Sequence, residues 1–414
     1  MEFKKTLLSN GLSIIGEENR FAKSAAVGFF VRTGARDEND RISGVSHFLE
    51  HMLFKGTAKL SAIEVNEAFD STGAQFNAYT SEEMTVFFAA VMPEYLAEVT
   101  NLWIELMRPA LRDEDFNLEK KVITEEIAMY KDTPSFDVVD RCRNLHFEGH
   151  PCGNSVLGSE QSIEHLTAED MRSYFSSRYA PNNMVAAFAG NFDWDKASAL
   201  VEDGCSRWQR QSAERKIADY RGSKKKARME KANLNCEHIC LMSAGVCARD
   251  ARRYAALLAS MIIGDDVGSR FFWGLVDRAL AETAAMHFMG MDGTGAFCSY
   301  IRCGAEKVNR VLETVEKIFG DLGEKGVRDK ELTTAKNKIL SMLVIKNELP
   351  MGRLADLGLN WTYLQKYRTI EEEVNAIKGV TVDDINRIIK EFQLGDFTRF
   401  SIGPQQQHTQ DVKR

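Results

Sequence analysis

The residues best placed to do chemistry are His47-Phe48-Leu49-Glu50-His51. His47 and His51 are four residues apart, so on an α-helix they lie one turn apart on the same face. Two imidazoles in this arrangement can bind one zinc ion. Glu50 lies beside that face, where its carboxylate can take a proton from a zinc-bound water. The spacing therefore predicts a helix that carries a catalytic zinc site of the inverted His-x-x-Glu-His type.

A catalytic zinc takes a third protein ligand and leaves its fourth position for water. The acidic segment LEKKVITEEIAMY, which begins at Leu118, supplies the candidates. We predict that Glu126 is the ligand and that Glu119, two helical turns earlier on the same face, orients ligands or water. Glu125 is the competing ligand. It points about 100° away from Glu126 on a helix, so only one of the two faces the site.

The cysteines offer a second, weaker metal-binding pattern. Cys236 and Cys240 flank His238, and in a strand these three residues share one face. None of the 8 cysteines forms a Cys-x-x-Cys pair, and no apolar stretch typical of a secretory signal or a membrane span is visible. We interpret the cysteines as reduced, mostly buried thiols, and we expect the protein in the cytoplasm.

Length and composition place the chain among folded proteins with several domains. It has 414 residues, of which 44% are hydrophobic and 27% are charged. The formal net charge of −7 gives no basic surface for nucleic acid or for an anionic membrane. Both classes of partner are therefore excluded from the prediction.

The sequence divides in the middle. Residues 206–230 are polar and charged, unlike the segments on either side. We predict an N-terminal zinc-binding domain over 1–210, a linker over 211–230 and a C-terminal domain without a metal site over 231–414.

The two halves also resemble each other. LTAEDM at 166–171 and VTVDDI at 380–385 each read as a threonine-capped helix that leads into the last strand of its half. We therefore predict an α+β fold of two homologous domains, each an antiparallel-rich mixed sheet with helices packed on one face. Local patterns predict helices over 42–54, 61–72 and 270–281, and strands near 74–79 and 84–91.

The segments around the histidines resemble the pitrilysin-type, or M16, zinc peptidases. The resemblance is carried by GARDENDRISGVSHFLEHMLFKGT (34–57), GAQFNAYTSEEMTVFFAAV (73–91) and NSVLGSEQSIEHLTAEDM (154–171). It is closest to the bacterial, half-length members of the processing-peptidase subfamily (M16B). The resemblance implies a LuxS/MPP-like metallohydrolase fold that forms half of a clamshell.

The resemblance also implies an activity and roles for individual residues. The activity is that of a zinc endopeptidase or oligopeptidase acting on peptides or short unfolded segments, with one Zn²⁺ per chain. The alternative is a non-catalytic peptide-binding subunit of a processing or chaperone-like complex. The implied roles are zinc ligands for His47, His51 and Glu126, general base for Glu50, second acidic position for Glu119, and substrate-pairing edge strand for Asn77 and Ala78.

One segment departs from the family. Active members usually carry an arginine and a tyrosine in a stretch resembling LVREKGLAY, which corresponds here to LVDRALAE at 275–282. In the simplest alignment Asp277 replaces the arginine and Glu282 replaces the tyrosine, while a one-residue shift restores Arg278. We therefore expect a heterodimer with a paralogous half-length chain that supplies the Arg/Tyr pair, with a homodimer as the fallback.

Overall fold

The structure is a computed structural model that describes residues 1–405, so 406–414, the end of the predicted C-terminal domain, lie outside the described residues. It contains two mixed β-sheets and many helices, which confirms the predicted α+β class. The chain forms two compact units. Unit 1 contains Met1–Ala128, Asn154–Lys216 and Ser341–Val374, and unit 2 contains Met129–Gly153, Ile217–Leu340 and the described residues from Asn375 onward.

Helices make up most of the regular structure. In the described part of the chain, none of them combines the length and the apolar character needed to cross a bilayer. In chain order they are α1 (Val45–Leu53), α2 (Ala62–Ser71), α3 (Leu96–Leu106), α4 (Asp113–Asp132), α5 (Pro134–His146), α6 (Glu160–His165), α7 (Ala168–Arg178), α8 (Trp194–Cys205), α9 (Arg253–Gly264), α10 (Val308–Lys325), α11 (Asp329–Asn347), α12 (Pro350–Leu364), α13 (Ile370–Gly379) and α14 (Val382–Phe392).

The sheet of unit 1 has six strands. They are β1 (Glu2–Leu7), β2 (Ser13–Glu18), β3 (Ala25–Val31), β4 (Gln75–Thr80), β5 (Thr85–Val91) and β6 (Met184–Gly190). Their order across the sheet is β1-β2-β6-β3-β5-β4, and only the β2–β6 pair is parallel. One face packs on α1, α3 and α8 through a core that includes Phe29, Phe48, Phe87 and Trp103. β4 is left at an edge of the sheet.

The sheet of unit 2 repeats this arrangement. Its strands are β7 (Lys226–Glu230), β8 (Cys236–Ala244), β9 (Thr283–Gly290), β10 (Gly295–Gly304) and β11 (Thr398–Gly403), in the order β7-β11-β8-β10-β9. That order matches β2-β6-β3-β5-β4, and the parallel pair β7–β11 stands where β2–β6 stands. Thr167 and Thr381 each form a capping box, with Asp170 and Asp384. The matching order supports the predicted duplication.

Each unit takes one helix from the other half of the sequence. Leu354, Leu357 and Trp361 of α12 pack on the second face of the unit 1 sheet, against Phe30 and Val86. In unit 2, α5 covers the corresponding face of the sheet. The prediction of helices on one face was therefore incomplete, because the second face of each sheet is also apolar and must be buried.

The predicted domain limits also differ from the compact units. The chain passes from unit 1 to unit 2 after Lys216, inside the predicted 211–230 linker, and residues 226–230 form β7. Arg215 is anchored in unit 1, where its Nη2 lies 2.6 Å from Asp37 Oδ2 and donates to the Glu83 carbonyl at 2.7 Å. This segment is therefore bound to the units rather than free between them.

Candidate metal centre

The helix that carries the histidines begins at a tight turn. Gly44 precedes α1 with φ +91°, and a Cβ there would lie 2.5 Å from the Leu157 carbonyl oxygen, so only glycine fits. The Glu38 carboxylate caps the helix. It accepts hydrogen bonds from the Gly44 N–H at 2.7 Å and the Ser46 N–H at 2.8 Å. These bonds satisfy donors that a helix start leaves unpaired.

The cap is itself fixed in a buried polar layer. Burial raises the pKa of Glu38 to about 8, although the N–H donors and the Ser46 hydroxyl oppose this shift. The Tyr174 hydroxyl lies 2.7 Å from Ser46 Oγ and 2.7 Å from Thr33 Oγ1. Sequence reasoning missed Glu38, because it lies seven residues before the first residue of α1 rather than at a usual capping position.

Three ligand atoms converge in unit 1. Each of three side chains contributes one ligand atom, and these atoms all lie within 4.8 Å of one another; the side chains are His47, His51 and Glu126. Glu126 Oε2 is 3.5 Å from His51 Nε2 and 3.8 Å from His47 Nε2, distances too long for hydrogen bonds. Glu126 Oε2 is also buried without a hydrogen-bond partner. A buried carboxylate oxygen of this kind needs a partner, and a zinc ion held by two imidazoles and one carboxylate would supply it.

The electrostatics of His47 suit metal binding. Burial, with the neighbouring His51, lowers the pKa of His47 to about 3, so this imidazole is neutral as a ligand must be. Burial raises the pKa of Glu126. Glu125, the competing ligand, is exposed and lies outside the converging group. Of the two glutamates, the structure brings Glu126 to the histidines.

Glu119 and Lys55 hold His51 from behind. Glu119 Oε1 lies 2.9 Å from His51 Nδ1, and Lys55 Nζ lies 2.5 Å from Glu119 Oε2. These two contacts lower the pKa of Glu119, although its burial opposes the change. With Nδ1 engaged, His51 has Nε2 left for a ligand role. Lys55 was not predicted, and it lies in the turn that follows α1, two residues after the helix ends at Leu53.

Glu50 lies beside the converging group and is bonded to the sheet. Its Oε2 accepts a hydrogen bond of 2.5 Å from the Thr80 hydroxyl at the end of β4. Burial raises the pKa of Glu50, while the Thr80 bond and the neighbouring His51 oppose that shift. Thr80 was not among the predicted residues.

Asn77 and Ala78 lie on the edge strand β4. β4 pairs with β5 on one side, and no strand lies beyond it in the described sheet. The Ala78 N–H donates to the side-chain oxygen of Asn77 at 2.8 Å, so the sheet does not use this donor. An additional strand could engage it.

The segment over 270–281 is not the helix that the sequence predicts. It contains a short π-helical turn, Phe272–Val276, followed by Ala279 in the left-handed region with φ +52°. Asp277, Arg278 and Glu282 are exposed, and Glu282 is paired with Arg302.

The cysteine-rich strand does not form a second metal centre. Among residues 1–405, the group of His47, His51 and Glu126 is the one set of three or more ligand side chains close enough to share an ion. His238 Nδ1 lies 2.8 Å from the Tyr300 hydroxyl, and all eight cysteines are free thiols. This agrees with the interpretation of the cysteines as reduced thiols.

Comparisons with known proteins agree with the fold and show the family. Residues 13–160 match the model of insulinase, peptidase family M16, and residues 165–339 match the model of the peptidase M16 inactive domain. A Bacillus subtilis protein named uncharacterized zinc protease YmxG is 28% identical over 97% of this chain and 98% of its own length.

Two solved structures share the fold. The crystal structure of a protease from Helicobacter pylori has a TM-score of 0.90 at 21% identity, over 97% of this chain and 99% of that one. A peptidase M16 inactive domain from Pseudomonas fluorescens has a TM-score of 0.90 at 18% identity, over 98% of each chain. The two matched family models and the relative that matches over nearly its full length show that the chain is a half-length member of peptidase family M16.

Proposed function

We propose that this chain is a zinc-dependent metallopeptidase that hydrolyses peptides or short unfolded segments, as an endopeptidase or oligopeptidase. His47, His51 and Glu126 would hold one zinc ion per chain. The observation that carries the proposal is the convergence of their ligand atoms around a Glu126 oxygen that has no hydrogen-bond partner, next to the buried carboxylate of Glu50. Relatives named zinc proteases support both the metal and the reaction class.

The residues around the proposed metal site have separate roles in the reaction. A bound zinc supplies Lewis acidity, which lowers the pKa of water and polarises a carbonyl group. Glu50 takes the proton of the attacking water and returns it to the leaving amine. Glu119 keeps His51 in the orientation and tautomer that a ligand needs. Lys55 in turn pairs with Glu119. Burial supports the role of Glu50, because the raised pKa makes its carboxylate a stronger base.

The substrate backbone would add to β4 as a further strand. The Ala78 N–H is bonded to the exposed Asn77 side chain, which a substrate strand would displace to reach this donor. Main-chain hydrogen bonds along an open edge bind peptides of many sequences in an extended form. They also bring the scissile bond to the metal centre, because the last residue of β4 contacts Glu50.

A second subunit would complete the site. The left-handed Ala279 supports a register in which it stands at the glycine of LVREKGLAY, because that conformation favours glycine. Val276 then stands at the arginine, Arg278 at the lysine and Glu282 at the tyrosine. In this register, as in the simplest alignment, the Arg/Tyr pair is absent. We therefore keep the heterodimer with a paralogous chain as the proposal and the homodimer as its fallback.

Zinc content and peptide cleavage test the proposed function. The full chain, alone and with a paralogous half-length partner, is assayed by elemental analysis and with an unstructured fluorogenic peptide. Glu50→Gln is expected to keep the zinc and to lose about 10²–10⁴-fold in kcat. Glu125→Gln is the control, since this exposed glutamate adjoins Glu126, and it should change neither quantity.

Two results would separate the alternatives. Zinc bound at one ion per chain, without cleavage under any pairing, would favour the non-catalytic peptide-binding subunit. A protein that holds no zinc and is unaffected by Glu50→Gln would overturn the peptidase proposal. The cytoplasm stays our proposed location, supported by eight free thiols, which a reducing compartment preserves.

A further inference from the structure

One hydrogen bond joins the edge strand to the proposed base. The Thr80 hydroxyl donates to Glu50 Oε2 at 2.5 Å, and Thr80 is the last residue of β4. Asn77 and Ala78, where a substrate strand would pair, lie three and two residues earlier on the same strand. The group that takes the proton is therefore bonded to the strand that binds the peptide.

We propose that Thr80 is a positioning residue for Glu50, and that it couples the occupation of the β4 edge to the orientation of the base. This inference rests on the proposed peptidase function. Neither the sequence patterns nor the zinc ligands require a hydroxyl at this position.

The bond fixes which carboxylate oxygen is available. A hydroxyl that donates to an ionised carboxylate makes a strong, charge-assisted hydrogen bond. Because Thr80 occupies Oε2, Glu50 keeps Oε1 as the acceptor for the proton of the attacking water. A carboxylate held in this way has fewer orientations to lose when the reaction begins.

The position of Thr80 is set by the sheet rather than by Glu50. Its backbone pairs with Thr85, which is fully buried and donates from its hydroxyl to the Thr33 carbonyl at 2.9 Å. The turn that follows is closed by the Ser81 N–H, which donates to the Met84 carbonyl at 2.8 Å, and by the Met84 N–H, which donates to Ser81 Oγ at 3.2 Å. These bonds hold Thr80 on the β5 side of the strand and leave its outer side without a neighbouring strand.

The coupling follows from the exposed position of β4. An edge strand with hydrogen bonds on one side is less constrained than a strand with bonds on both sides. A peptide that adds to β4 completes its second side and so restrains Thr80. A long peptide is therefore expected to gain more from this hydrogen bond than a short peptide that does not span the strand.

Three variants at Thr80 test the assignment. Thr80→Val has nearly the same shape but no donor, and Thr80→Ser keeps the donor. With the partner chain present if cleavage needs it, kcat of Thr80→Val is expected to fall by about 10- to 100-fold. Zinc content should stay unchanged and KM should shift by less than about threefold, because the variant affects the base rather than binding. Thr80→Ser should recover kcat to within about threefold, and Thr80→Ala replaces Thr80→Val if that variant does not fold.

The coupling has its own readout. The ratio of kcat for a long peptide to kcat for a short one should be smaller in Thr80→Val than in the parent protein. An unchanged ratio would overturn the coupling. A kcat within twofold of the parent in Thr80→Val, with Glu50→Gln inactive, would overturn the role of Thr80 alone, whereas an active Glu50→Gln would overturn the proposed function itself.

Discussion

The two compact units share a strand order, but the helix that follows β3 in unit 1 differs from the helix that follows β8 in unit 2. In unit 1, α1 follows β3 and buries His47 and Glu50 among apolar residues. In unit 2, α9 follows β8 and buries mainly apolar side chains, among them Ala259, Ile262 and Ile263. The same architecture is therefore stable with an apolar helix in this place.

The difference shows what the chemistry of unit 1 requires. A buried polar side chain destabilises a protein unless it finds a partner, and other elements supply partners for Glu50, for His51 and for the start of α1. Thr80 of β4 bonds Glu50, Glu119 of α4 bonds His51, and Glu38 caps the start of the helix. The fold supplies the scaffold, and these partners compensate for the polar groups added to it.

We expect the largest effect when the N-terminal half of the sequence is expressed alone, because the compact units do not coincide with the two halves of the sequence. Residues 1–216 expressed alone lack Leu354, Leu357 and Trp361, whose burial stabilises unit 1 by about 1.5–3 kcal/mol each. That sum is comparable to the whole stability of a domain, so we expect no cooperative unfolding transition. Near-ultraviolet circular dichroism and binding of a hydrophobic dye measure this. A sharp thermal transition in the 1–216 fragment would contradict it.

An intermediate effect concerns the ion pair that joins α12 to β2. Arg353 donates to both carboxylate oxygens of Glu17, at 2.9 and 2.6 Å, and both side chains are buried. Arg353→Leu should lower the free energy of unfolding by about 3–5 kcal/mol, because it leaves a buried carboxylate without its cation. Chemical denaturation measures the change.

Two controls define that result. Replacing Glu17 and Arg353 together by leucine should destabilise less than Arg353→Leu alone. Arg172→Leu breaks a partly exposed pair with Asp113 and should change the free energy by no more than about 1 kcal/mol. Equal losses in the buried and exposed variants would show that the pair does not anchor α12.

The smallest expected effect concerns Lys55, which supports the metal centre of unit 1 through Glu119. Lys55→Met removes the cation behind Glu119 and should weaken zinc binding by about 10- to 100-fold, because Glu119 then holds His51 less firmly. Competition with a chromophoric chelator measures the affinity without any peptidase assay. Lys59→Met is the matched control, since Lys59 pairs with Glu105 away from the site, and it should stay within about twofold. Equal affinities in the two variants would contradict the role of Lys55.

Local patterns were the reliable part of the sequence. The helices predicted over 42–54 and 61–72 are α1 and α2, and the two strands predicted next to them are β4 and β5. Spacing alone placed His47 and His51 on one helical face, and the structure brings Glu126 rather than Glu125 to them. Periodicity and turn chemistry act over a few residues, which is why they can be read directly.

Longer-range features could not be predicted in the same way. The apolar face of α12 shows that the helix is buried, but not which sheet it covers. Thr80 is distant in sequence from Glu50, so only the fold brings the two side chains together. The helix predicted over 270–281 failed at Ala279, where the left-handed backbone breaks a helical pattern that the side chains continue.

The helices α5 and α12, which each cover a sheet built from the other half of the sequence, also limit the order in which the chain can fold during synthesis. A ribosome makes α1 and the whole sheet of unit 1 before it has made half of the chain, but the second face of that sheet stays uncovered until Pro350–Leu364 emerges. Meanwhile α5 leaves the ribosome before any strand of the sheet it will cover. Neither unit can finish folding during the first half of translation. The nascent chain therefore exposes apolar surface for most of its synthesis, which is the condition that chaperones recognise.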